Sequence, residues 1–424
     1  PDPSLGSWAS WRQAAGAHAF SLISQIHTLS TTAVMTMLDA LVVEPVQPWD
    51  ALICSSRAGR AVVERLLDDR EHQLRQRCGA SRFPRPQLPV IPLPLDEACF
   101  RLEHQQRQQA RQRLGLPSDA AVVLWLGRRS MLTKADPWPM YQVLERVAGR
   151  AEKPVWLVEC GPDDTAVQAE HFQALQQHCP HLKLLRLGAD GPVPEPQKQQ
   201  ALIACDLLLS LVDNIQETFG LSVAEAMAAG RPVVASNWDG YRDLVRDGID
   251  GFLIPSRWDD QASLLSFPLS WTQKLDANAF PSVSGCYAQM VQLDLAAAEA
   301  AVLTLITQPQ LAAAMGRAAR ARAQEQFAPE QVMARFRDLF ADLAERRAAA
   351  VAEPAAQPPL RFDPVRCFAG YASQQAPFAQ GGNVVTQLPS LLLQGRQPFA
   401  DQIQAALPSG QRLDWTALMQ RKHG

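Results

Sequence analysis

Short apolar runs alternate with longer amphipathic stretches through the middle of the chain. This pattern is typical of parallel strands that are buried on both faces and covered by helices. We therefore predict a doubly wound α/β domain, in which ligands bind at the carboxyl ends of the strands. The predicted strands are Val122–Leu126, Val155–Glu159, Leu182–Leu187, Asp206–Leu211 and Pro232–Ser236.

The second half of this region contains two less regular segments. Phe267–Cys286 is interpreted as an insertion loop, because Pro268, Pro281 and Gly285 interrupt any regular pattern. Leu295–Arg347 is rich in alanine and arginine and predicts a set of helices, punctuated by two prolines.

The first hundred residues contain fewer strand-like runs than a complete sheet of about five or six strands needs. We predict that residues 1–104 form an incomplete N-terminal Rossmann-like domain, and that the chain is a fragment lacking its first strands. Residues 105–347 are predicted to be the complete second domain, and residues 348–424 a linker and a tail without an assigned role. The predicted elements of the first domain are the strands Asp50–Cys54 and Leu88–Pro92 and the helix Ser55–Leu67.

The composition indicates an ordinary globular protein with a large core, since 47% of its 424 residues are apolar. A formal net charge of −3 gives no support for a nucleic-acid partner. The sequence shows neither a signal peptide nor a run of about 20 apolar residues. Eight cysteines without a CxxC pair predict reduced thiols, and hence a cytoplasmic location.

The strongest chemical signal is the string ETFGLSVAEAMAAGRPVV, which begins at Glu217. A helix predicted to start near Leu221, after the flexible Gly220, presents free N–H groups and a positive dipole end to phosphate oxygens. Glu217 precedes this helix and Glu225 lies one turn inside it, where carboxylates can accept hydrogen bonds from sugar hydroxyls. A lone glutamate here is more often an ordinary helix-end charge. The whole string instead predicts a site for a diphosphate flanked by hydroxyl-bearing groups.

Glu217 and Glu225, separated by seven residues, resemble the E-x7-E signature of retaining family-four glycosyltransferases of the GT-B fold. The resemblance implies two Rossmann-like domains and a nucleotide-sugar donor, UDP-, GDP- or ADP-linked. It implies that Glu217 lies by the donor sugar and that Glu225 holds the ribose hydroxyls. Phe219, Gly220 and Leu221 would present their backbone to the sugar and the diphosphate. With no Asp-x-Asp motif in a suitable context, we predict neither a metal nor another cofactor.

A second match follows the strand that ends at residue 126. Gly127, Arg128 and Lys134 resemble the positions at which the family neutralises the leaving diphosphate. The spacing contains one extra residue, so Arg129 stays open as the alternative to Arg128. Gly161 resembles the family's glycine-containing turn after the next strand.

The segment Ser24–Thr28 resembles the short His-Thr segment of the family's acceptor domain. The resemblance implies that His27 lies near the reacting centre, although a lone histidine is more often structural. We expect sugar transfer, with retention of configuration, to a hydroxyl of a carbohydrate, lipid or small molecule. A lipid acceptor would be compatible with peripheral membrane contact. The alternatives are a non-catalytic nucleotide-sugar-binding module and a GT-B-fold epimerase or phosphorylase.

Overall fold

A computed structural model describes residues 4–101, 106–189, 191–351, 367–371, 401–402, 412 and 414. The chain divides into two compact units, residues 1–359 and 360–424, and the tail indicated by the sequence lies mostly outside the described residues. In the second unit, Ala369–Tyr371 forms a short 3-10 turn. None of the described helices is long and apolar enough to cross a membrane.

The elements of the first unit follow one another in the order of an α/β protein. The strands are β1 (Ile23–Gln25), β2 (Ala51–Ile53), β3 (Ala121–Leu126), β4 (Val155–Cys160), β5 (Lys183–Leu187), β6 (Leu207–Ser210), β7 (Val233–Ser236), β8 (Gly251–Ile254), β9 (Ser256–Trp258) and β10 (Val291–Leu293). The helices are α1 (Leu5–Arg12), α2 (Thr32–Leu41), α3 (Arg57–Cys78), α4 (Glu97–Phe100), α5 (Arg107–Arg113), α6 (Pro137–Ala148), α7 (Ala166–Gln176), α8 (Glu195–Ala204), α9 (Leu221–Ala228), α10 (Tyr241–Leu244), α11 (Ala262–Leu275), α12 (Phe280–Ala288), α13 (Leu295–Thr307), α14 (Pro309–Phe327) and α15 (Pro329–Ala349).

A six-stranded parallel sheet lies at the centre of this unit, in the order β5-β4-β3-β6-β7-β8. The order reverses between β3 and β6, and in such sheets the ligand crevice lies at this switch point, outside the carboxyl ends of the strands. The predicted doubly wound sheet is therefore confirmed, and each of its five predicted strands is present within one or two residues of its expected bounds.

Helices cover both faces of the sheet, and successive side chains of each strand point to opposite faces. Along β3, Val122 and Leu124 face the cluster formed with α5, α8, α9 and α14. Val123 and Trp125 face the cluster formed with α6, α7 and α13. Full burial of such side chains stabilises a fold by about 1.5–3 kcal/mol each. The strands therefore form a rigid platform for the loops at their carboxyl ends.

The first hundred residues contain a smaller parallel sheet, in which β1 pairs with β2. The predicted strand Asp50–Cys54 is confirmed as β2, but the predicted strand Leu88–Pro92 is wrong. Here Gln87 and Val90 form only isolated bridges, to Ala51 of β2 and to Cys54 just after it. Pro89 and its neighbouring prolines have no N–H group to donate, so a continuous ladder cannot form.

The predicted insertion loop Phe267–Cys286 is wrong as well, because this segment is mostly helical. Pro268 is accommodated inside α11, and Pro281 occupies the first turn of α12, where its missing N–H group has no intrahelical partner to lose. Gly285 packs closely against Leu132. The helices predicted between residues 295 and 347 are confirmed as α13, α14 and α15.

Candidate active site

The loops that follow β3, β4 and β6 meet around a cavity of about 600 Å³ at the switch point of the sheet. These loops contribute backbone and side chains, and the segment after β1 contributes the opposite wall. All the predicted site residues except Arg129 line this cavity. They are His27, Gly127, Arg128, Lys134, Gly161, Glu217, Phe219, Gly220, Leu221 and Glu225.

Glu217 forms an ion pair with Lys134, with 2.6 Å between Oε2 and Nζ. Its other oxygen accepts hydrogen bonds from the N–H groups of Thr218, at 3.3 Å, and Gly220, at 3.1 Å. Burial alone would raise the pKa of Glu217, but Lys134 and the N–H groups of Phe219 and Thr218 hold it below its ordinary value. The pKa of Lys134 is raised, because Tyr241 and Glu217 outweigh its burial. Both members of the pair are therefore charged at neutral pH.

Two glycines allow the loops of the cavity to approach each other closely. Gly220 precedes α9 at a φ of 102°, and a Cβ atom there would overlap the ring of Tyr241. A Cβ atom on Gly161 would overlap the carbonyl of Gly127. Ser222 lies in the first turn of α9, lines the cavity, and has a buried hydroxyl without a hydrogen-bond partner in the described part of the chain. The start of α9 therefore presents its unpaired N–H groups and a free hydroxyl to the cavity.

Glu225 forms the second ion pair of the cavity, with Lys198 of α8 at 3.0 Å. Lys198 also lies 2.9 Å from Glu195. Burial raises the pKa of Glu225, although Lys198 opposes this shift. The pKa of Lys198 is raised, since its two carboxylate partners outweigh its burial. Lys198 was not identified from the sequence, where it lies in a polar stretch that is typical of a solvated helix face.

The structure separates the two arginines that the sequence left open. Arg128 is half exposed, lines the cavity, and its Nη1 lies 3.0 Å from Asp164. Arg129 is completely buried and forms a two-pronged ion pair with Asp163, at 2.6 and 3.0 Å. It also donates to the carbonyl of Leu187 at the end of β5. Arg129 therefore connects the loops that follow neighbouring strands, whereas Arg128 is the arginine available to a ligand.

His27 lies on the cavity wall contributed by the first hundred residues, and its side chain is exposed. Its carbonyl accepts a hydrogen bond from the hydroxyl of Thr218 at 3.0 Å. The hydroxyl of Ser55 donates to the carbonyl of Thr218 at 3.2 Å. The loop that carries Glu217 is therefore bonded directly to the segments after β1 and β2.

A second cavity, of about 520 Å³, shares Glu217 and Thr218 with the first. Trp238 and Trp258 line it, with ring centroids 5.3 Å apart. Asp239 also lines it, at a φ of 46° that a non-glycine residue adopts at a cost of about 1–3 kcal/mol. Its Oδ2 is buried without a partner among the described residues, and burial raises its pKa to about 7. Strained, unpaired groups of this kind concentrate at functional sites.

Comparison with known proteins bears on the same region. Residues 106–270 match the family model described as glycosyl transferases group 1. The chain carries a group 1 glycosyltransferase domain. The matched segment of this glycosyltransferase domain includes all the predicted site residues except His27.

The glycosyltransferase domain is also similar to named proteins from other organisms. A D-inositol 3-phosphate glycosyltransferase of Nocardioides sp. is 38% identical over 168 residues, which cover 37% of this chain and 36% of the relative. The protein of the same name from Actinosynnema mirum is 27% identical over 271 residues, covering 62% and 63% of the two chains. In the first match the chain thus spans about a third of the relative's length.

Two solved structures resemble the chain over most of its length. Anabaena HepE in complex with UDP has a TM-score of 0.51 at 18% identity, with 80% of this chain and 76% of that chain covered. Sucrose-phosphate synthase from Thermosynechococcus elongatus has a TM-score of 0.50 at 19% identity, with 80% and 71% covered. The predicted GT-B fold is confirmed, and the glycosyltransferase domain supplies its six-stranded sheet.

Proposed function

We propose that this protein transfers a sugar from a nucleotide-sugar donor to an acceptor hydroxyl, with retention of configuration. One observation carries the proposal: a helix N-terminus is flanked, within one cavity, by the ion pairs Glu217–Lys134 and Glu225–Lys198. The unpaired N–H groups of α9 suit a diphosphate, and each carboxylate suits hydroxyl groups at one end of it.

The donor lies along the cavity with its diphosphate at the start of α9, between Arg128 and Lys134. The nucleoside extends towards Glu225, which accepts hydrogen bonds from the ribose hydroxyls while Lys198 fixes its orientation. The sugar lies beside Glu217. Because Anabaena HepE has been solved with UDP, UDP-sugars are the first donors to test, followed by GDP- and ADP-sugars.

The reaction follows from the charges around the diphosphate. As the bond to the sugar breaks, negative charge grows on the leaving diphosphate, and Arg128 and Lys134 stabilise it. A phosphate oxygen takes the proton of the acceptor hydroxyl, and the new bond forms on the face that the diphosphate leaves. Glu217, held in its ionised form, positions the sugar. The proposal requires no metal ion, since two cations and a helix N-terminus neutralise the diphosphate.

The second cavity is the place for the acceptor, because Glu217 lines it as well as the donor cavity. Asp239 can accept a hydrogen bond from an acceptor hydroxyl there, which would satisfy its unpaired Oδ2. The similarity to D-inositol 3-phosphate glycosyltransferases lies mainly in the donor half, so it supports donor chemistry more than acceptor identity. Inositol 3-phosphate is therefore one member of the acceptor panel, beside sugars and lipid-linked sugars.

The proposal is tested by incubating the protein with UDP-, GDP- and ADP-sugars and this acceptor panel, with mass spectrometry of the products. We expect one donor class to give a glycosylated product whose anomeric configuration, measured by NMR, is that of the donor. A product of inverted configuration contradicts retention. Isomerised donor without acceptor indicates an epimerase, and donor binding without turnover indicates a binding module.

A further inference from the structure

A cavity of about 790 Å³ lies at the amino-terminal edge of the six-stranded sheet, opposite the donor cavity. Its lining includes Lys153, Asp206 and Arg231, which come just before β4, β6 and β7. Residues of α5, α13 and α14 complete it. Since the donor cavity lies at the carboxyl ends of the strands, the two cavities are distinct.

The cavity at the amino-terminal edge is strongly basic in a chain whose formal net charge is −3. Asp206 is the one acidic residue that the described part of the chain contributes to its lining, and it already forms ion pairs with Arg107 and Arg111. Two guanidinium groups therefore share this carboxylate. The cavity as a whole keeps an excess of positive charge. The basic residues of its lining are Arg107, Lys153, Arg231, Arg317 and Arg320.

Part of this charge has a structural explanation, because basic side chains stabilise the carbonyl ends of helices. Arg231 donates to the carbonyls of Leu202 and Ile203 in the last turn of α8, at 2.9 and 2.7 Å. Lys153 and Arg317 are different. Their side chains make no hydrogen bond or ion pair with the residues that the structure describes, so helix capping does not account for them.

The cavity is preformed by close packing of its walls. A Cβ atom on Gly316 of α14 would overlap the carbonyl of Gly230, so the helix backbone lies directly against the turn between α9 and β7. Both glycines line the cavity. A wall fixed in this way holds Arg317, the next residue of α14, at a defined place.

We propose that this cavity binds a phosphate-bearing small molecule through Lys153 and Arg317. Its volume falls within the range of about 300–1,000 Å³ that small-molecule sites occupy. Phosphate oxygens accept charge-assisted hydrogen bonds from lysine and arginine, which are stronger than neutral ones. The site is independent of the proposed transferase reaction. The helix α9 runs between the two cavities, since it begins at Leu221 in the donor cavity and leads to Gly230 in this one.

The test is isothermal titration calorimetry of the full chain with inorganic triphosphate. We expect two sites in the unaltered protein, one in each cavity. The double variant Lys153→Ala/Arg317→Ala should weaken one site at least about tenfold, since it removes two donors of charge-assisted hydrogen bonds. The double variant Lys134→Ala/Lys198→Ala should lose the other site and keep this one.

The matched control is Lys183→Ala/Arg337→Ala, which removes one exposed lysine and one exposed arginine elsewhere on the first unit. It should retain both sites. The proposal is overturned if Lys153→Ala/Arg317→Ala binds triphosphate like the unaltered protein, or if the control weakens binding equally. Arg317→Glu, a charge reversal at an exposed position, provides a second variant, and circular dichroism checks that each variant is folded.

Discussion

The two glutamates of the E-x7-E motif line one cavity, in which we propose that the donor binds, and have different surroundings. Glu217 lies in a loop, where an ammonium group and backbone N–H groups bind its carboxylate and lower its pKa. Glu225 lies inside α9, where Lys198 is its ion-pair partner and burial raises its pKa. The same side chain is therefore held in its ionised form at the end proposed for the sugar. At the nucleoside end its charge depends on pH and on one lysine.

The largest effect should come from removing the charge at the sugar end. We expect Glu217→Gln to lower kcat about 100- to 1,000-fold, as the loss of one preorganised electrostatic group does. The glutamine oxygen can still accept the backbone hydrogen bonds, so donor affinity should change far less. Steady-state kinetics and calorimetry measure the two quantities.

Glu170→Gln is the matched control for this substitution, because Glu170 is exposed on α7, away from the cavity. It should leave kcat unchanged. If Glu217→Gln kept the kcat of the unaltered protein, the role proposed for Glu217 beside the sugar would be contradicted.

Arg128 and Arg129 are neighbours in the chain, and we expect their substitution to have different effects, one on catalysis and the other on stability. We expect Arg128→Ala to lower kcat/KM about 100-fold without changing stability, because its side chain is half exposed and faces the cavity. Arg129→Ala should instead lower the free energy of unfolding by about 3 kcal/mol, since it leaves Asp163 without its buried partner. Urea unfolding and steady-state kinetics of both variants check these expectations. Loss of stability in Arg128→Ala together with loss of activity alone in Arg129→Ala would contradict them.

The smallest expected effect is a pH dependence of donor affinity, which we attribute to Glu225 at the proposed nucleoside end. Because the pKa of Glu225 is raised, its carboxylate takes up a proton at a higher pH than an ordinary glutamate as the pH falls. As the pH falls, donor affinity should therefore begin to decrease at a higher pH than an ordinary glutamate would set, in a range where Glu217 stays ionised. Glu225→Gln should weaken binding about tenfold at pH 8 and flatten this dependence.

Glu217→Gln provides the comparison in the same titrations, since its pH dependence should match that of the unaltered protein. An unchanged pH dependence in Glu225→Gln would show that another group controls donor affinity.

Much of the sheet could be predicted from the sequence, because strands buried on both faces appear as continuous apolar runs. The donor loop could be predicted because its glycines and glutamates lie close together in the chain. Lys198 could not, since only the fold brings its polar helix beside Glu225. Asp239 was missed for a similar reason: its strained φ and its unpaired oxygen are visible only in three dimensions.

The errors have a common physical cause, which is the treatment of proline. Prolines in Phe267–Cys286 indicate an irregular segment, yet a first-turn position and one helix interior accommodate them. Prolines within Leu88–Pro92 have the opposite effect, because they prevent a ladder that the apolar pattern favours. The domain boundary near residue 104 and the incompleteness of the first domain stay predictions.

The central claim is that the cavity between Glu217 and Glu225 binds a nucleotide sugar. Calorimetry with UDP-, GDP- and ADP-sugars, on the unaltered protein and on Arg128→Ala/Glu225→Ala, tests it most directly. We expect one nucleotide class to bind, and to bind about 100-fold more weakly to the double variant, from two losses of about tenfold each. Equal binding by both proteins, or no binding of any nucleotide sugar, would contradict the claim.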